Sequence, residues 1–297
     1  MAAFSVGKTV FQAEDGFYGF HEKYDEHEYN VDAWGNDLSL RYGVLLEQLE
    51  LVLNLKYQNE QFTSDVFGDS HNIGLKKFNI GAKFLVYDPE KNYEKKPNLH
   101  SWKANHKFSF RQFIPAVGIY GGINLNLSGN TFARPYIPKD DNFSFRGMLL
   151  TQNQFGRYTF LTNIIIDKFP SIKKTLDYVV TLTRGFNERW SGMLEVQSNN
   201  GDHNGDTYFR VGAAFLAYEN IQIDASVGKN FKDTPSMVYG GVGLAWRFDD
   251  NYTEIKIRIP KEDKGKDDKS KKGKKDKEKK DKDKKKRADA IENTEFK

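Results

Sequence analysis

Hydrophobic and polar residues alternate along most of the first 250 positions of this 297-residue chain, and the alternation is regular near residue 50. There Leu51, Leu53 and Leu55 share one face, whereas Glu50 and Lys56 lie on the other. Because successive side chains of a β-strand point to opposite faces, a period of two predicts strands with one apolar and one polar face. The pattern recurs about twelve times and no comparable stretch has a helical period, so we predict an all-β chain.

The alternating stretches are about 9–11 residues long, which is the length that a tilted strand needs to cross the hydrocarbon of a membrane. They centre on residues 9–22, 38–42, 49–57, 78–86, 117–127, 143–149, 158–166, 176–182, 190–196, 208–215, 221–227 and 238–248. Their apolar faces often end in aromatic residues, as at the membrane–water interfaces of barrels. These residues are Tyr42, Tyr57, Tyr158, Trp190, Trp246 and Phe248. Both features favour a transmembrane barrel over a soluble sandwich, which would also alternate.

The connections between the predicted strands alternate in length. Short turns are predicted at residues 44–48, 153–157, 186–189 and 218–220, and longer polar loops at residues 59–71, 128–142, 167–173, 198–206 and 230–235. A long connection at residues 88–105 falls on the short-turn side and departs from this alternation. Outer-membrane barrels have short periplasmic turns and longer external loops, so an even strand count places both chain termini in the periplasm.

We therefore predict a closed antiparallel transmembrane β-barrel of about 12 strands. The barrel is expected at residues 9–249, after an N-terminal extension at residues 1–8 and before a charged, Lys-rich tail at residues 250–297. The closing stretch YGGVGLAWRF, which ends at Phe248, resembles the strand signal that the barrel-insertion machinery of Gram-negative outer membranes recognises. Residues 1–12 lack the apolar run of a secretory signal, so we expect the export signal to lie outside this chain.

Composition narrows the classes of protein that fit the sequence. The mean hydropathy is −0.70 and no apolar run approaches about 20 residues, which excludes a helical membrane protein. The chain has no cysteine, so thiol nucleophiles, disulfides and Cys-ligated metal sites are excluded. Aromatic residues make up 14% of the chain, a high share for a sequence whose charge does not suit a thick water-soluble core.

The net charge of +4 averages two unlike parts of the chain. Residues 261–297 contain 17 Lys and Arg against 11 Asp and Glu, a net charge of +6, with almost no apolar residue. Such a composition cannot bury enough apolar surface to offset its ordering entropy, so we predict a disordered periplasmic tail. Two roles stay open, a solvated spacer and a polybasic contact to an envelope protein or a polyanion. No aromatic residue lies between the lysines to stack on bases, so nucleic-acid binding is not expected.

Four phrases of the chain carry a resemblance to a known family. They are RYGVLLEQLELVLNLKY, TRGFNERWSGMLE, LAYENIQIDASVGKNF and YGGVGLAWRF. These phrases resemble the Gram-negative outer-membrane "transporter" barrels of the MetA-pathway phenol-degradation type, over roughly residues 11–248. The resemblance implies a closed antiparallel barrel that passes small molecules, hydrophobic or aromatic ones included. It supplies no catalytic or binding residues.

No motif in the chain predicts catalysis, a cofactor or a metal ion. The sequence V-G-K-T at residues 6–9 lacks the earlier glycine of a phosphate-binding loop. Residues 202–206 resemble a calcium loop but lack the distal Glu, and an exposed Asn-Gly turn is favoured. A hydrolase would need a Ser, a His and an acid facing one another, and the one adjacent pair, Ser70 and His71, points to opposite faces of a strand. We therefore predict that the chain is not an enzyme.

The polar faces of the predicted strands meet in one lumen, and their charged residues are the candidate functional residues. The lumen-lining candidates are Arg41, Glu50, Lys56, Lys83, Arg146, Asp177, Glu195, Arg210, Asp224 and Arg247. Six basic against four acidic residues give an open lumen a mild anion preference. Charges of both signs also suit a salt-bridged interior that keeps the barrel rigid and nearly closed, and the sequence leaves this choice open.

The sequence supports three functional hypotheses in unequal measure. The first is a passive outer-membrane channel for small molecules, in contact with lipid outside and with a solute inside. The second is a plugged structural or accessory barrel in a larger cell-envelope complex, which the tail and the balanced lumen favour. The third, an outer-membrane hydrolase, has no support beyond the adjacency of Ser70 and His71.

Overall fold

The computed structural model describes residues 1–89, 91, 113–127, 132, 141–201, 205–233 and 235–249. Its strands are β1 (Phe11–Tyr24), β2 (Tyr29–Gly43), β3 (Leu49–Ser64), β4 (Ser70–Tyr87), β5 (Ala116–Leu125), β6 (Phe143–Phe155), β7 (Tyr158–Phe169), β8 (Thr175–Gly185), β9 (Trp190–Gly201), β10 (Asp206–Tyr218), β11 (Ile221–Asn230) and β12 (Ser236–Phe248). The predicted tail at residues 250–297 lies outside the described residues, as do most of the predicted connections at residues 88–105 and 128–142.

The twelve strands close into one antiparallel barrel. Each strand pairs with its neighbours in the sequence, and β1 pairs with β12 from Phe11↔Phe248 to Lys23↔Ser236. Closure leaves no open sheet edge, so the strand backbone finds hydrogen-bond partners within the wall, as a wall in lipid requires. The predicted fold class, a closed antiparallel barrel of about twelve strands, is confirmed.

The strands extend beyond the stretches that the alternation marks. They vary from 10 to 18 residues, and β2 begins at Tyr29 rather than near Leu38. Because β3 runs to Ser64 and β4 begins at Ser70, the prediction of a loop over residues 59–71 is wrong for most of its length. In these extensions the outward residues are polar, as at Asp32 of β2 and Gln61 of β3, and Val31 and Phe62 are buried inside, so the outward apolar pattern stops before the strands do.

The apolar faces of the strands point outward around the barrel. Ile80 of β4, Leu194 of β9 and Val242 of β12 expose 48%, 46% and 56% of their surface. Five of the six aromatic residues predicted at the interfaces lie near one end of the barrel, at the first or last residues of their strands. They are Tyr42, Tyr158, Trp190, Trp246 and Phe248. An exposed apolar wall with an aromatic rim is what a membrane barrel presents to lipid.

Inward glycines let tyrosine rings lie flat against the inside of the wall. A Cβ atom at Gly35 would come within 2.6 Å of the Tyr18 hydroxyl oxygen. A Cβ atom at Gly81 or Gly122 would come within 2.5 Å of the Tyr120 hydroxyl oxygen. Because glycine has no Cβ, each ring packs on the neighbouring backbone and stays close to the wall.

The two ends of the barrel differ in their connections. At the short-turn end, residues 156–157 join β6 to β7 and residues 219–220 join β10 to β11. The first strand begins and the last strand ends at this same end, because the strand count is even. At the long-loop end, the described connections include residues 65–69 after β3 and residues 170–174 after β7. No helix in the described part of the chain is long and apolar enough to cross a membrane.

Replacing Leu53 with Arg should destabilise the barrel in lipid. Leu53 lies on the outward face of β3, opposite Leu40 of β2 and Ile80 of β4. An Arg near the bilayer midplane costs about 2–4 kcal/mol, so we expect the free energy of folding into lipid vesicles to fall by that amount. Ser226→Arg, on the lumen side of β11, is the matched control and should fold with little loss. Equal folding of the two variants would contradict the outward position of Leu53.

Candidate functional site

The structure brings five of the ten lumen candidates into ion pairs with one another. They are Arg41, Glu50 and Lys83 in one group and Glu195 and Arg210 in another. Arg146 forms an ion pair with Asp167 instead. Nη1 of Arg146 lies 2.8 Å from Oδ2 of Asp167. The remaining candidates Lys56, Asp177 and Asp224 form no ion pair with a described residue. Within the part of the chain that the structure describes, the lumen wall therefore holds both paired and unpaired charges.

Arg247 departs from its predicted position along the lumen. It lies at the end of β12, where 43% of its side chain is exposed and its Nε is 3.2 Å from Oδ2 of Asp249. Its parity along the strand matches that of the lumen residues, but the strand ends one residue later. Arg247 consequently borders the mouth of the barrel at the short-turn end rather than its interior.

A buried ion network occupies the short-turn end of the lumen. Glu50 of β3 is fully buried, and its Oε1 lies 2.9 Å from both Arg41 Nη2 of β2 and Lys83 Nζ of β4. Arg41 Nη1 also donates to Oε1 of Glu14 on β1 at 3.2 Å. Two cations and two carboxylates from four adjacent strands therefore neutralise one another, which offsets the desolvation cost of burying them.

The beginning of the chain lies inside the barrel and binds to this network. Lys83 Nζ donates to the backbone carbonyl oxygens of Ala2 at 3.0 Å and Phe4 at 2.7 Å. The second carboxylate oxygen of Glu50 accepts from the backbone N–H of Val6 at 2.8 Å. The same pair of charged side chains therefore holds two wall strands and the inserted segment together.

Residues 1–6, which we call the N-terminal insert, also pack on an apolar part of the lumen wall. Ala3 is fully buried in a cluster with Val52 of β3, Tyr120 of β5 and Leu150 of β6. These wall residues point inward in spite of their apolar character. Their position is explained by the insert, which gives them an apolar partner inside a lumen that is otherwise polar.

The N-terminal insert spans much of the lumen. Ser5 Oγ donates to the carbonyl oxygen of Gln48, in the turn before β3, at 2.8 Å. The carbonyl oxygen of Met1 accepts from Asn163 Nδ2 on β7 at 3.1 Å. A Cβ atom at Gly118 of β5 would come within 3.0 Å of the carbonyl oxygen of Ala3, so glycine at this wall position favours the close approach of the insert. The insert narrows the lumen at the short-turn end.

Toward the long-loop end, the lumen widens into a space that we call the tyrosine chamber. It consists of two adjoining cavities of about 460 and 490 Å³, which share Asp37, Lys56 and Gln197 in their walls. Tyr18 and Tyr239 line the first of these cavities. Cavities of this size suit a small molecule that contacts several side chains at once.

Cations lie against aromatic rings along the wall of the tyrosine chamber. Arg210 Nη1 lies 3.5 Å from Oε1 of Glu195, and Arg210 Nε donates to the Tyr239 hydroxyl at 3.3 Å. Lys56 Nζ lies 4.0 Å from the centre of the Tyr18 ring. A wall of this kind offers an apolar surface and positive charge to the same occupant.

Several residues of this site lie just outside the stretches that the alternation marks. Asp37 and Lys77 precede the predicted stretches 38–42 and 78–86 by one residue. Extending the period of two by one position in each direction would have placed both on the polar face. Residues 1–8 carry no alternation, so no local signal predicts the insertion of this segment into the lumen.

The other motifs assemble no site among the residues that the structure describes. His71 lies on the outward side of β4 with its Nε2 at 2.8 Å from Oδ1 of Asn59, whereas Ser70 takes the opposite face. Residues 202–204 of the candidate calcium loop lie outside the described residues. The described residues contain no group of three or more His, Asp or Glu placed to hold a metal ion.

Comparison with known proteins assigns the chain to a family. A family model described as "Putative MetA-pathway of phenol degradation" matches residues 1–248. No curated protein matches the chain. The match begins ten residues before the part that carries the sequence resemblance, and it therefore includes the N-terminal insert. The resemblance inferred from the four phrases is confirmed.

Solved structures with a similar fold include outer-membrane barrels of several kinds. The translocator domain of the autotransporter NalP from Neisseria meningitidis has a TM-score of 0.48 at 10% identity, covering 82% of this chain and 91% of that one. The KdgM porin in complex with disordered oligogalacturonate has a TM-score of 0.46 at 10% identity, covering 78% and 99%. The CymD monoaromatic hydrocarbon channel has a TM-score of 0.41 at 9% identity, covering 81% and 88%.

Replacing Glu50 with Gln should destabilise the barrel strongly. Gln cannot neutralise Arg41 and Lys83, and breaking a buried pair by removing one partner costs about 3–5 kcal/mol. The free energy of unfolding in urea, measured in lipid vesicles, should fall by that amount. Glu47→Gln is the matched control because Glu47 is exposed, and its effect should stay within about 0.5 kcal/mol. Equal stability of the two variants would contradict a structural role for the buried network.

Proposed function

The chain belongs to the family described as "Putative MetA-pathway of phenol degradation", and on this basis we propose that it is an outer-membrane channel for small molecules. The observation that carries the proposal is the closed wall itself, which is apolar outside and polar inside. A wall of this kind suits lipid on one side and a water-filled path on the other. The family description, which names phenol degradation, supports an aromatic solute.

In this proposal the short-turn end faces the periplasm. Short turns on the periplasmic side are usual in outer-membrane barrels, and residues 11 and 248 both lie at that end. A solute enters the tyrosine chamber from the long-loop end and then meets the N-terminal insert. Beyond the insert, a recess at the short-turn end is lined by Gln154 of β6 and Thr159 of β7, beside the turn at residues 186–189.

Passage in this proposal depends on the N-terminal insert. The insert pairs with no strand of the wall in a ladder and is held by a few hydrogen bonds and by the burial of small side chains such as Ala3. Displacement of the insert would leave the twelve-strand sheet closed and would open the lumen inside it. The insert is therefore the part of the chain that limits the flow of solute.

A plugged accessory barrel is the second candidate function, and the N-terminal insert favours it. Glu50 and Lys83 are fully buried together, and each holds both the wall and the insert. A barrel closed in this way would serve as a rigid subunit of a cell-envelope complex. The two functions differ in whether the intact chain conducts.

Deleting residues 2–6 should raise the conductance of the barrel several-fold. The deletion removes the backbone that crosses the lumen and leaves all twelve strands in place. The measurement is the single-channel conductance in planar bilayers, together with the flux of a small aromatic solute into liposomes. Lys8→Gln is the matched control, since Lys8 is exposed, and it should conduct as the intact chain does.

The outcomes of this experiment separate the candidate functions. Conductance of the intact chain, increased by the deletion, supports the channel. Conductance of the deletion variant alone supports the plugged accessory barrel. Absence of conductance and of flux in both forms, with the barrel folded, overturns the channel.

A further inference from the structure

Two inward lysines lie opposite each other across a strand pair of the tyrosine chamber. Lys56 of β3 is the register partner of Lys77 of β4, and both line the same cavity of about 490 Å³. Like charges directly opposite each other destabilise a sheet, because they repel at the short distance between paired side chains. This strand pair therefore holds two cations at opposite positions at a cost in stability.

The carboxylate nearest to Lys77 along the chamber wall is already engaged. Asp167 accepts from Arg146 at 2.8 Å, from Asn124 Nδ2 at 2.8 Å and from the backbone N–H of Lys168 at 3.0 Å. Asp167 therefore forms its ion pair with Arg146, and it forms no ion pair with Lys77.

Two further carboxylates, Asp37 and Asp141, line the cavity that holds the lysine pair. Asp37 of β2 is the register partner of Lys56, and it lines both cavities of the chamber. Neither Lys56 nor Lys77 forms an ion pair with a described residue. The charged residues that line this cavity are four lysines and three aspartates, a net charge of +1, which matches a monovalent anion better than a divalent one: Lys56, Lys76, Lys77, Lys168, Asp37, Asp141 and Asp167.

An aromatic surface adjoins this positive charge. Lys56 Nζ lies 4.0 Å from the centre of the Tyr18 ring, and the Tyr18 hydroxyl donates to Oε1 of Gln58 at 3.0 Å. The ring also packs against the backbone at Gly35, so it is held in one orientation. On the same wall, the rings of Tyr208 and Tyr239 lie 6.2 Å apart. The chamber therefore presents fixed rings beside a place for one negative charge.

We propose that Lys56 and Lys77 form a binding site for the carboxylate of a small aromatic acid, whose ring lies against Tyr18. The carboxylate accepts hydrogen bonds from both ammonium groups, which removes their repulsion. The inference rests on the proposed function, since it names the class of solute that the channel takes. The site is therefore expected to be specific for its ligand. An aromatic monocarboxylate binds more tightly than its neutral amide, and more tightly than a carboxylate without a flat ring.

Isothermal titration calorimetry on the folded, detergent-solubilised chain tests the site directly. The probes are benzoate, its neutral amide benzamide and the non-aromatic cyclohexanecarboxylate. Benzoate should bind at least about tenfold more tightly than benzamide, because hydrogen bonds to charged groups contribute more than neutral ones. Lys56→Gln and Lys77→Gln should each weaken benzoate binding about tenfold and leave benzamide unchanged.

The matched control for these variants is Lys229→Gln. Lys229 is an exposed residue on the outward side of β11, so its loss removes one positive charge without touching the chamber. It should leave benzoate binding unchanged. Equal weakening by Lys229→Gln and Lys77→Gln would assign the effect to net charge and overturn the site.

Heat stability gives a second readout that a merely structural role would not produce. Without an anion, Lys77→Gln should raise the unfolding temperature, since it removes a repulsive pair. Benzoate at saturation should raise the unfolding temperature of the intact chain, and it should raise that of Lys77→Gln by less. A loss of stability in Lys77→Gln, together with equal binding of benzoate and benzamide, would overturn the proposal.

Failure of the site and failure of the channel are distinguishable. A bilayer current that benzoate does not interrupt, with no binding by calorimetry, overturns the anion site and leaves the channel. Benzoate binding that depends on Lys56 and Lys77, in a chain that conducts nothing, overturns the channel and retains the site.

Discussion

The wall of this barrel is a single sheet with apolar side chains on its outer face, and that constraint places most charges of the lipid-facing part of the wall on the inner face. Because side chains alternate, a strand that exposes Leu51 and Leu53 outward turns Glu50 and Lys56 inward. Twelve strands repeat this, so their charged residues converge on one narrow space. Inside the lumen, each of these charges must then be paired with an opposite charge, hydrated by water or bound by a ligand.

The two ends of the lumen meet this requirement differently. At the short-turn end, Arg41, Glu50 and Lys83 pair with one another, and the backbone of the N-terminal insert takes up their remaining hydrogen-bonding capacity. In the tyrosine chamber, Lys56 and Lys77 face each other without an ion pair to a described residue. Charged residues that pair within the fold contribute to its stability, whereas charged residues without such an ion pair can bind a ligand.

The sequence predicts the local part of this arrangement and not the non-local part. Alternation assigns the face of a residue from its neighbours alone, which is why the strand count is predicted correctly and why Glu50 and Lys83, both fully buried, are assigned to the polar face. Alternation does not predict which inward residues contact one another. Arg146 of β6 pairs with Asp167 of β7, and that contact depends on the register of the two strands, which the hydropathy pattern does not give. Residues 1–8 show the limit of the method, because their partners on β3, β4 and β7 are distant in the chain.

The N-terminal insert is also energetically separate from the wall that surrounds it. The wall is held by ladders that run along each of its strand pairs, whereas the insert is held by single hydrogen bonds and by small apolar contacts such as that of Ala3 with Leu150. Moving the insert breaks no ladder; it costs the hydrogen bonds at Lys83, Glu50, Ser5 and Asn163 and the apolar contacts of Ala3, whereas Lys83 and Glu50 keep each other as partners. Closure of the lumen and integrity of the barrel are therefore carried by different interactions. In the function that we propose, the tyrosine chamber selects a solute and the insert controls its passage, and these two roles rest on different interactions.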